Sequence, residues 1–369
     1  MTSILARYLS LMLLSRYALF AFAIIALAAL MEFLANGDDI MQDTGGSWLE
    51  IFKYTLLTLP DVFSRLASFA ALLASLITLI GLTRHTELTA MVAAGMSQWG
   101  LMLTIMPAAI LIAGFQFWMD NSVLPQTSSA LRDWGVGDYA RTAQGNAAMI
   151  WAREDRRILR IGAVNVREET LSDITIFRRD ERGLLVERMQ APSATFEEGY
   201  IILEGVTRTF PDQARPILEE NVVVELSVDI RTLAALSGSP REKSWLDTRS
   251  LVIHPSFGNQ PNFLYELWLH KKIAGPIGTI IIIMLVVPLV QRFERLSNQF
   301  LTFLIGLSVG FLYVAFDAML VALGEAGLLP PILAAWTSTL VLLSTVGSIL
   351  FERELMRAPA TLDENRLTE

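Results

Sequence analysis

Six stretches of the chain are apolar for about the roughly 20 residues that a helix needs to cross a bilayer, where every backbone amide must find its partner internally. They cover residues 17–34, 66–82, 101–119, 273–290, 300–323 and 332–351. The fourth carries no charge. Its eleven Ile, Leu and Val residues, at about −0.3 to −0.6 kcal/mol each, favour insertion by about −3 to −7 kcal/mol before Gly and Pro are discounted. Three spans therefore precede a different kind of sequence, and three follow it.

That intervening sequence changes to short alternating runs bounded by turn residues, the signature of strands. Candidate strands are 148–152, 158–166, 173–177, 184–191, 200–210 and 221–226. Asp180-Glu181-Arg182-Gly183, Glu197-Glu198-Gly199 and Phe210-Pro211-Asp212 mark turns and breaks. In 158–166, Leu159, Ile161, Ala163 and Asn165 alternate with Arg160, Gly162, Val164 and Val166. This suits a sheet with one packed face and a second apolar side, as in a sandwich, a barrel or an open-ended cleft; a plain solvated spacer fits equally well. Residues 231–261, with Ser237-Gly238-Ser239-Pro240 and His254-Pro255, read as a return linker.

Charge follows the same division. Of 66 Lys, Arg, Asp and Glu residues, 38 lie between Asn121 and Leu267, so the flanking sequence is too poor in charge to be a water-soluble globule. A soluble enzyme, a disordered chain and a basic nucleic-acid binder are excluded. Arg7, Arg16, Arg84, Arg292, Arg295, Arg353, Arg357 and Arg366 fall on one side of the spans. The short loops on the other side, 35–59 and 324–331, hold Lys53 among Asp38, Asp39, Asp43, Glu50 and Glu325. The positive-inside rule then puts both termini in the cytoplasm and the 121–267 domain outside. The first span also has the layout of a secretory signal, with Ala26-Leu27-Ala28 as its cleavage site, but its apolar run is longer than a usual signal core. Cleavage would leave five spans and change the sides of the termini.

Familiar catalytic chemistry is missing from the sequence. There is no cysteine, no P-loop, no GxSxG elbow, no kinase signature and no HExxH; His85, His254 and His270 sit in unrelated contexts. We therefore expect no catalytic residues, no metal site and no cofactor bound by this chain. Two features remain. Between the second and third spans, Leu88, Met91, Val92, Gly95, Met96 and Trp99 fall on one helical stripe, predicting an amphipathic cytoplasmic helix over 84–98 that docks on a partner or the membrane surface. A plain helical connector is the bland reading. Ionisable residues also sit near the outer span ends: Glu32, Arg65, Lys271, Lys272 and, deepest, Asp317. Charge at mid-bilayer costs about 2.5–3.5 kcal/mol, so these groups face a cavity or one another. One reading pairs Asp317 with Lys272; the other makes a polar rim for lipid headgroups, with Lys271, Lys272 and Arg132 as phosphate-binding cations.

Several stretches, in order and spacing, resemble the LptF/LptG family of lipopolysaccharide export permeases, and LptG more than LptF. Glu87-Leu88 with Ala94-Gly95 is similar to the family's S/T-E-[IL]-x-x-[ML]-x-A-x-G loop, and Leu124-Pro125-Gln126 to its A-P-Q. Lys272-Ile273 with Pro276 resembles the start of its fourth span; Gly306, Gly310-Phe311, Asp317 and Pro330-Pro331 resemble its fifth span and the turn after it.

The resemblance implies a helical transmembrane fold of six spans, three and three, around an inserted all-β periplasmic domain of β-jellyroll type. The divisions are 1–120, 121–267, 268–351 and a cytoplasmic tail 352–369. It implies half of an ABC exporter in the Gram-negative inner membrane, completed by an LptF-like second permease, with ATP and Mg held by a separate LptB-like ATPase dimer. LptC-like and LptA-like bridge proteins would receive lipopolysaccharide from the jellyroll. First and fifth spans would form a lateral gate. Arg84, Glu87, Met91, Ala94 and Gly95 would couple to the ATPase, and Glu32, Arg132, Lys271, Lys272 and Asp317 would meet the lipid. Enteric LptG has a lysine near the end of the first span, where this chain has Glu32 followed by Asp38 and Asp39. The departure implies a less negatively charged lipid A or a bridging cation. The residues alone leave open an exporter of another lipid or lipoprotein, and a membrane-anchored sensor or scaffold, which would not need an ATPase dock.

Overall fold

The computed structural model describes residues 2–44, 48–134, 150–154, 156–165, 168–197, 199–212, 215–226, 230, 233, 238–253, 260–293 and 299–355. The first third is helical: α1 (Thr2–Thr44), α2 (Trp48–Arg84), α3 (Glu87–Ala93), α4 (Gln98–Trp118), a π-helical turn (Met119–Val123) and α5 (Leu124–Trp134). Six strands follow, β1 (Ile150–Glu154), β2 (Arg157–Asn165), β3 (Thr170–Arg179), β4 (Leu185–Glu197), β5 (Tyr200–Thr209) and β6 (Ile217–Glu225). A short 3-10 turn (Pro240–Glu242) then leads to α6 (Trp245–Ile253), α7 (Asn262–Phe293), α8 (Gln299–Glu325) and α9 (Pro331–Leu355).

Among the described residues, six helices are long and apolar enough to cross a membrane: α1, α2, α4 continued through α5, α7, α8 and α9. They contain the six apolar stretches but run beyond them. The predicted loop 35–59 is largely helix, because Ile40, Ile51 and Tyr54 past the apolar runs bury themselves against Leu131 of α5. The side chains of Asp38 and Asp39 lie outside the described residues. Lys271, Lys272 and Arg65 do not begin their helices; they stand inside α7 and α2.

The central element is α7. Within its most apolar stretch 78% of residues are buried, against 17% for α8 and 6% for α1, so the last two leave apolar surface for lipid or a partner. Helix α8 approaches α2 through Gly306 and Gly310. A Cβ at Gly310 would overlap the Leu72 side chain, and one at Gly306 would overlap Leu76. Two glycines four residues apart share a helix face and let the backbones close, which is the usual solution where no hydrophobic effect drives helix association.

The strands form one antiparallel sheet in sequence order. Leu159, Ile161, Ile174, Ile176, Met189, Ala191 and Leu203 make its buried face, which continues onto Leu251 of α6 and Tyr265 of α7. Alternation in β3 shifts by one residue between buried Leu171 and Ile174, where Asp173 takes φ 47°. The hairpin at 180–183 is an Asx turn: Asp180 Oδ1 accepts from Arg182 N and Leu184 N at 2.8 and 2.9 Å. The sheet joins the helical part through α6 and α7, so the polar and apolar halves share the same long helix.

Replacing Gly310 by Ala overpacks the α2–α8 contact and is expected to destabilise the protein by about 1–3 kcal/mol. Gly347→Ala, where an added Cβ meets nothing within 4 Å, serves as the control. Thermal unfolding in detergent compares them; equal midpoints for the two variants would contradict the close packing.

Candidate functional site

Near the sheet-proximal end of the helices lies a cavity of about 410 Å³, within the range of sites that hold one small ligand or headgroup. Its walls come from α2, the end of α4 with its π-helical turn, α7, α8 and the 3-10 turn. Apolar spans supply Val314, Ala318, Val321 and Ala322; between them stand Arg65, Arg241, Lys271 and Lys272 opposite Asp120, Asp317 and Glu325. The π-helical turn inserts one extra residue per turn, which rotates the chain between Trp118 and Leu124 and brings Asp120 to the cavity wall.

Adjacent positions on α7 point to different partners. Lys271 Nζ donates to Asp317 of α8, which also accepts from Ser338 Oγ of α9. Lys272 is 5% exposed and donates to the carbonyls of Asp120 at 3.1 Å and Arg241 at 3.2 Å. The expected Asp317–Lys272 pair is therefore replaced by Asp317–Lys271: a step of one residue turns a helical side chain by about 100°, and Lys271 is the one that faces α8. Asp61 pairs with Arg65 at 2.8 Å and Arg241 at 3.3 Å. The Arg241 guanidinium lies over Trp268, 5.5 Å from the ring centroid, and Trp268 Nε1 donates to Glu325 at 3.2 Å. Deeper in, Thr279 bonds Gln116 at 2.7 Å and Ser68 at 2.8 Å, satisfying buried polar groups between α2, α4 and α7. Among the described residues no three His, Cys, Asp or Glu side chains gather as a metal site.

Of the predicted lipid-contacting residues, the structure brings Lys271, Lys272 and Asp317 to one cavity and leaves two elsewhere. Arg132 ion-pairs with Glu242 and lies against Gly238, locking α5 to the return segment. Glu32 stands on α1 outside the cavity lining. Sequence reasoning missed Asp61, Asp120 and Arg241; it counted Arg65 among the ionisable residues that face a cavity or one another, where the structure places it, but not among those that meet the lipid. Arg241 had a signal of a kind, a charged Arg241-Glu242-Lys243 run directly after Ser239-Pro240, but no periodicity brings a linker residue to a membrane cavity.

At the other end of the helices, the predicted 84–98 helix is divided. Arg84 is the last residue of α2, α3 spans only Glu87–Ala93, and Gly95 at φ 89° turns the chain into α4, whose N-cap Ser97 accepts from Gly100 N at 3.0 Å. The stripe divides with it: Leu88, Met91 and Met96 pack inward, while Val92 and Trp99 are exposed. Gly95 has no neighbour that a Cβ would meet, so its role within the chain is the positive φ, not close approach. Glu87 accepts from Tyr8 Oη at 3.2 Å, which ties α3 to α1; Ala94 and Gly95 are exposed. Gln98, first in α4, bonds Gln291 near the end of α7.

A sequence profile described as lipopolysaccharide export system permease LptF/LptG matches residues 7–353. The chain is similar, at 22% identity over 335 residues, to the lipopolysaccharide export system permease protein LptG of Haemophilus influenzae, covering 87% of this chain and 90% of that protein. It is likewise 22% identical over 344 residues to the protein of that name from Escherichia coli K12, covering 90% and 93%.

Beside the cavity, outside the spans, burial pushes the Lys243 ammonium down from 10.5 to about 7, with Arg132 adding to the shift and Glu242 and Asp247 opposing it. The unfolded chain keeps that proton to higher pH, so stability is expected to rise as pH increases from about 7 toward 10. Lys243→Met should flatten this gain relative to the native chain. Paired unfolding curves at pH 6 and 9 measure it; an identical pH response in both proteins would refute the burial of the charge.

Proposed function

The chain belongs to the LptF/LptG family of lipopolysaccharide export permeases, and from that premise we propose that it is the LptG-like half of an ATP-driven exporter. As a multi-pass inner-membrane permease it would take lipopolysaccharide from the bilayer and pass it across the periplasm toward the outer membrane. The observation that carries the reading is α7. One long helix packs the sheet core through Tyr265, lines the charged cavity through Lys271 and Lys272, and near its end sets Gln291 against the start of α4.

In this reading 1–120 and 268–351 form the two groups of three spans, 121–267 lies in the periplasm, and both termini, including the tail 352–369, are cytoplasmic. The antiparallel sheet is the wall of a jellyroll whose apolar face takes acyl chains, and LptC-like and LptA-like proteins extend that path. The exposed apolar faces of α1 and α8 meet an LptF-like partner and the bilayer as a lateral gate. The segment 84–98 docks on an LptB-like ATPase dimer, which supplies ATP and Mg; this chain itself performs no catalysis.

The energetic demand is large. Each CH2 moved from lipid to water costs about 0.8 kcal/mol, so a lipid with several acyl chains does not leave the bilayer unaided. ATPase closure acts by shifting the population of cavity states, and it can do so only through an element that differs between them. Gln98–Gln291 joins the docking segment to α7 and gives the movement a direct route to the headgroup cavity and the sheet.

Glu87→Ala removes a polar contact at the dock, and a hydrogen bond to a charged group contributes about 1.5–3 kcal/mol. Gly95→Val forces a β-branched residue to positive φ. Each is expected to lower co-purification of the ATPase and lipid export about tenfold; loss of the Tyr8–Glu87 bond and strain at Gly95 also lower the unfolding midpoints, so the comparison is made at a temperature where both variants remain folded. Normal co-purification and export in both variants would overturn the coupling assignment.

A further inference from the structure

The cavity lysines are already engaged inside the chain: Lys271 with Asp317, and Lys272 with two backbone carbonyls. The guanidinium groups opposite are engaged less fully among the described residues. Arg65 uses its Nε and one terminal nitrogen on a single oxygen, Asp61 Oδ2, at 3.0 and 2.8 Å, and its side chain is 59% exposed. Arg241 approaches the other oxygen at 3.3 Å, and Asp61 Oδ1 makes no hydrogen bond among the described residues. Two cations thus share one carboxylate, and among the described residues most of both donor forks is unspent. Trp268 under Arg241 and the carbonyl bond from Lys272 to Arg241 fix the position of that fork without consuming its donors.

A planar fork matches tetrahedral phosphate oxygens in pairs, which a lysine ammonium, a point charge, does not. Both forks line the same cavity. Its volume holds one phosphorylated sugar or one phospholipid headgroup, not a whole multi-chain lipid. We propose that Arg65 and Arg241, held side by side by Asp61, form a phosphate clamp for a lipid headgroup, and that Lys271 and Lys272 shape the cavity instead of gripping the anion. Asp61 keeps the two like charges together in the empty state and is displaced, from one or both, when phosphate arrives. The inference deepens the export reading and rests on it for the identity of the lipid alone; the clamp is defined by phosphate.

The test uses the full chain in phosphatidylcholine nanodiscs, titrated with lipopolysaccharide, with the same lipid enzymatically stripped of phosphate, and with phosphatidylglycerol. Arg65 is 59% exposed, so Arg65→Gln is expected to leave the fold intact; Arg241→Gln is its more buried counterpart. Each should weaken binding of a phosphorylated lipid about tenfold and leave the phosphate-free lipid unchanged. Asp61→Asn, which frees both forks, should bind phosphorylated lipid as tightly as the native chain or more tightly, an outcome that simple damage to the site would not give. Phosphatidylglycerol binding equal to lipopolysaccharide, with the same losses in the variants, supports the clamp while removing the lipid assignment of the export reading. Native affinity in Arg65→Gln, equal binding of the phosphate-free lipid, no binding of either phosphorylated lipid, or a tenfold loss in Asp61→Asn would overturn the clamp.

Discussion

Two consecutive lysines on a buried apolar helix must each find oxygen, and the arrangement of the surrounding elements follows from that demand. An ammonium left without partners in such a place would cost several kcal/mol. Lys271 is answered by α8 and α9 through Asp317 and Ser338. Lys272 is answered by the end of α4 and by the 3-10 turn, through the carbonyls of Asp120 and Arg241. Because the two side chains diverge, α7 holds helices on either side of it and also the segment returning from the sheet. The cavity is the space between these anchor points, not a gap in a uniform bundle.

The same logic explains how a polar domain and an apolar one become a single machine. Tyr265 and Leu251 bury the sheet's core on α7 and α6, and Arg132 with Glu242 locks α5 to the returning chain. Gly306 and Gly310 let α8 close on α2, which sets the far wall of the cavity. At the opposite end Gln98 and Gln291 bond in a place where an unpaired amide would be costly. Contacts of this kind, few and polar within an apolar surround, have discrete alternatives and suit a transporter that must pass between states.

Much of this architecture was legible because it is periodic. Long apolar runs gave all six spans, and period-two alternation placed six strands near their observed positions. The misses fall where periodicity carries no information. Helix ends continued past the bilayer runs because Ile40, Ile51 and Tyr54 bury themselves on Leu131, a contact between distant segments. Gly95 reset the register of an apparent single stripe, so α3 is short. Lys271 and Lys272 could not be told apart by composition, although one residue of rotation decides which meets Asp317. Arg132 pairs with Glu242, and Arg241 comes to the cavity from a linker; both outcomes depend on tertiary placement.

The central claim is that a lipid headgroup enters the cavity beside α7 and does not merely slide along the outer surface of α8. A photocrosslinking residue at Val314, which lines the cavity, and one at Leu312, which is 70% exposed on the same helix, separate these cases within the assembled complex. The account predicts adducts with lipopolysaccharide at Val314 that diminish when ATP is turned over, with far fewer at Leu312. Adducts as abundant at Leu312 as at Val314, and indifferent to ATP, would contradict it.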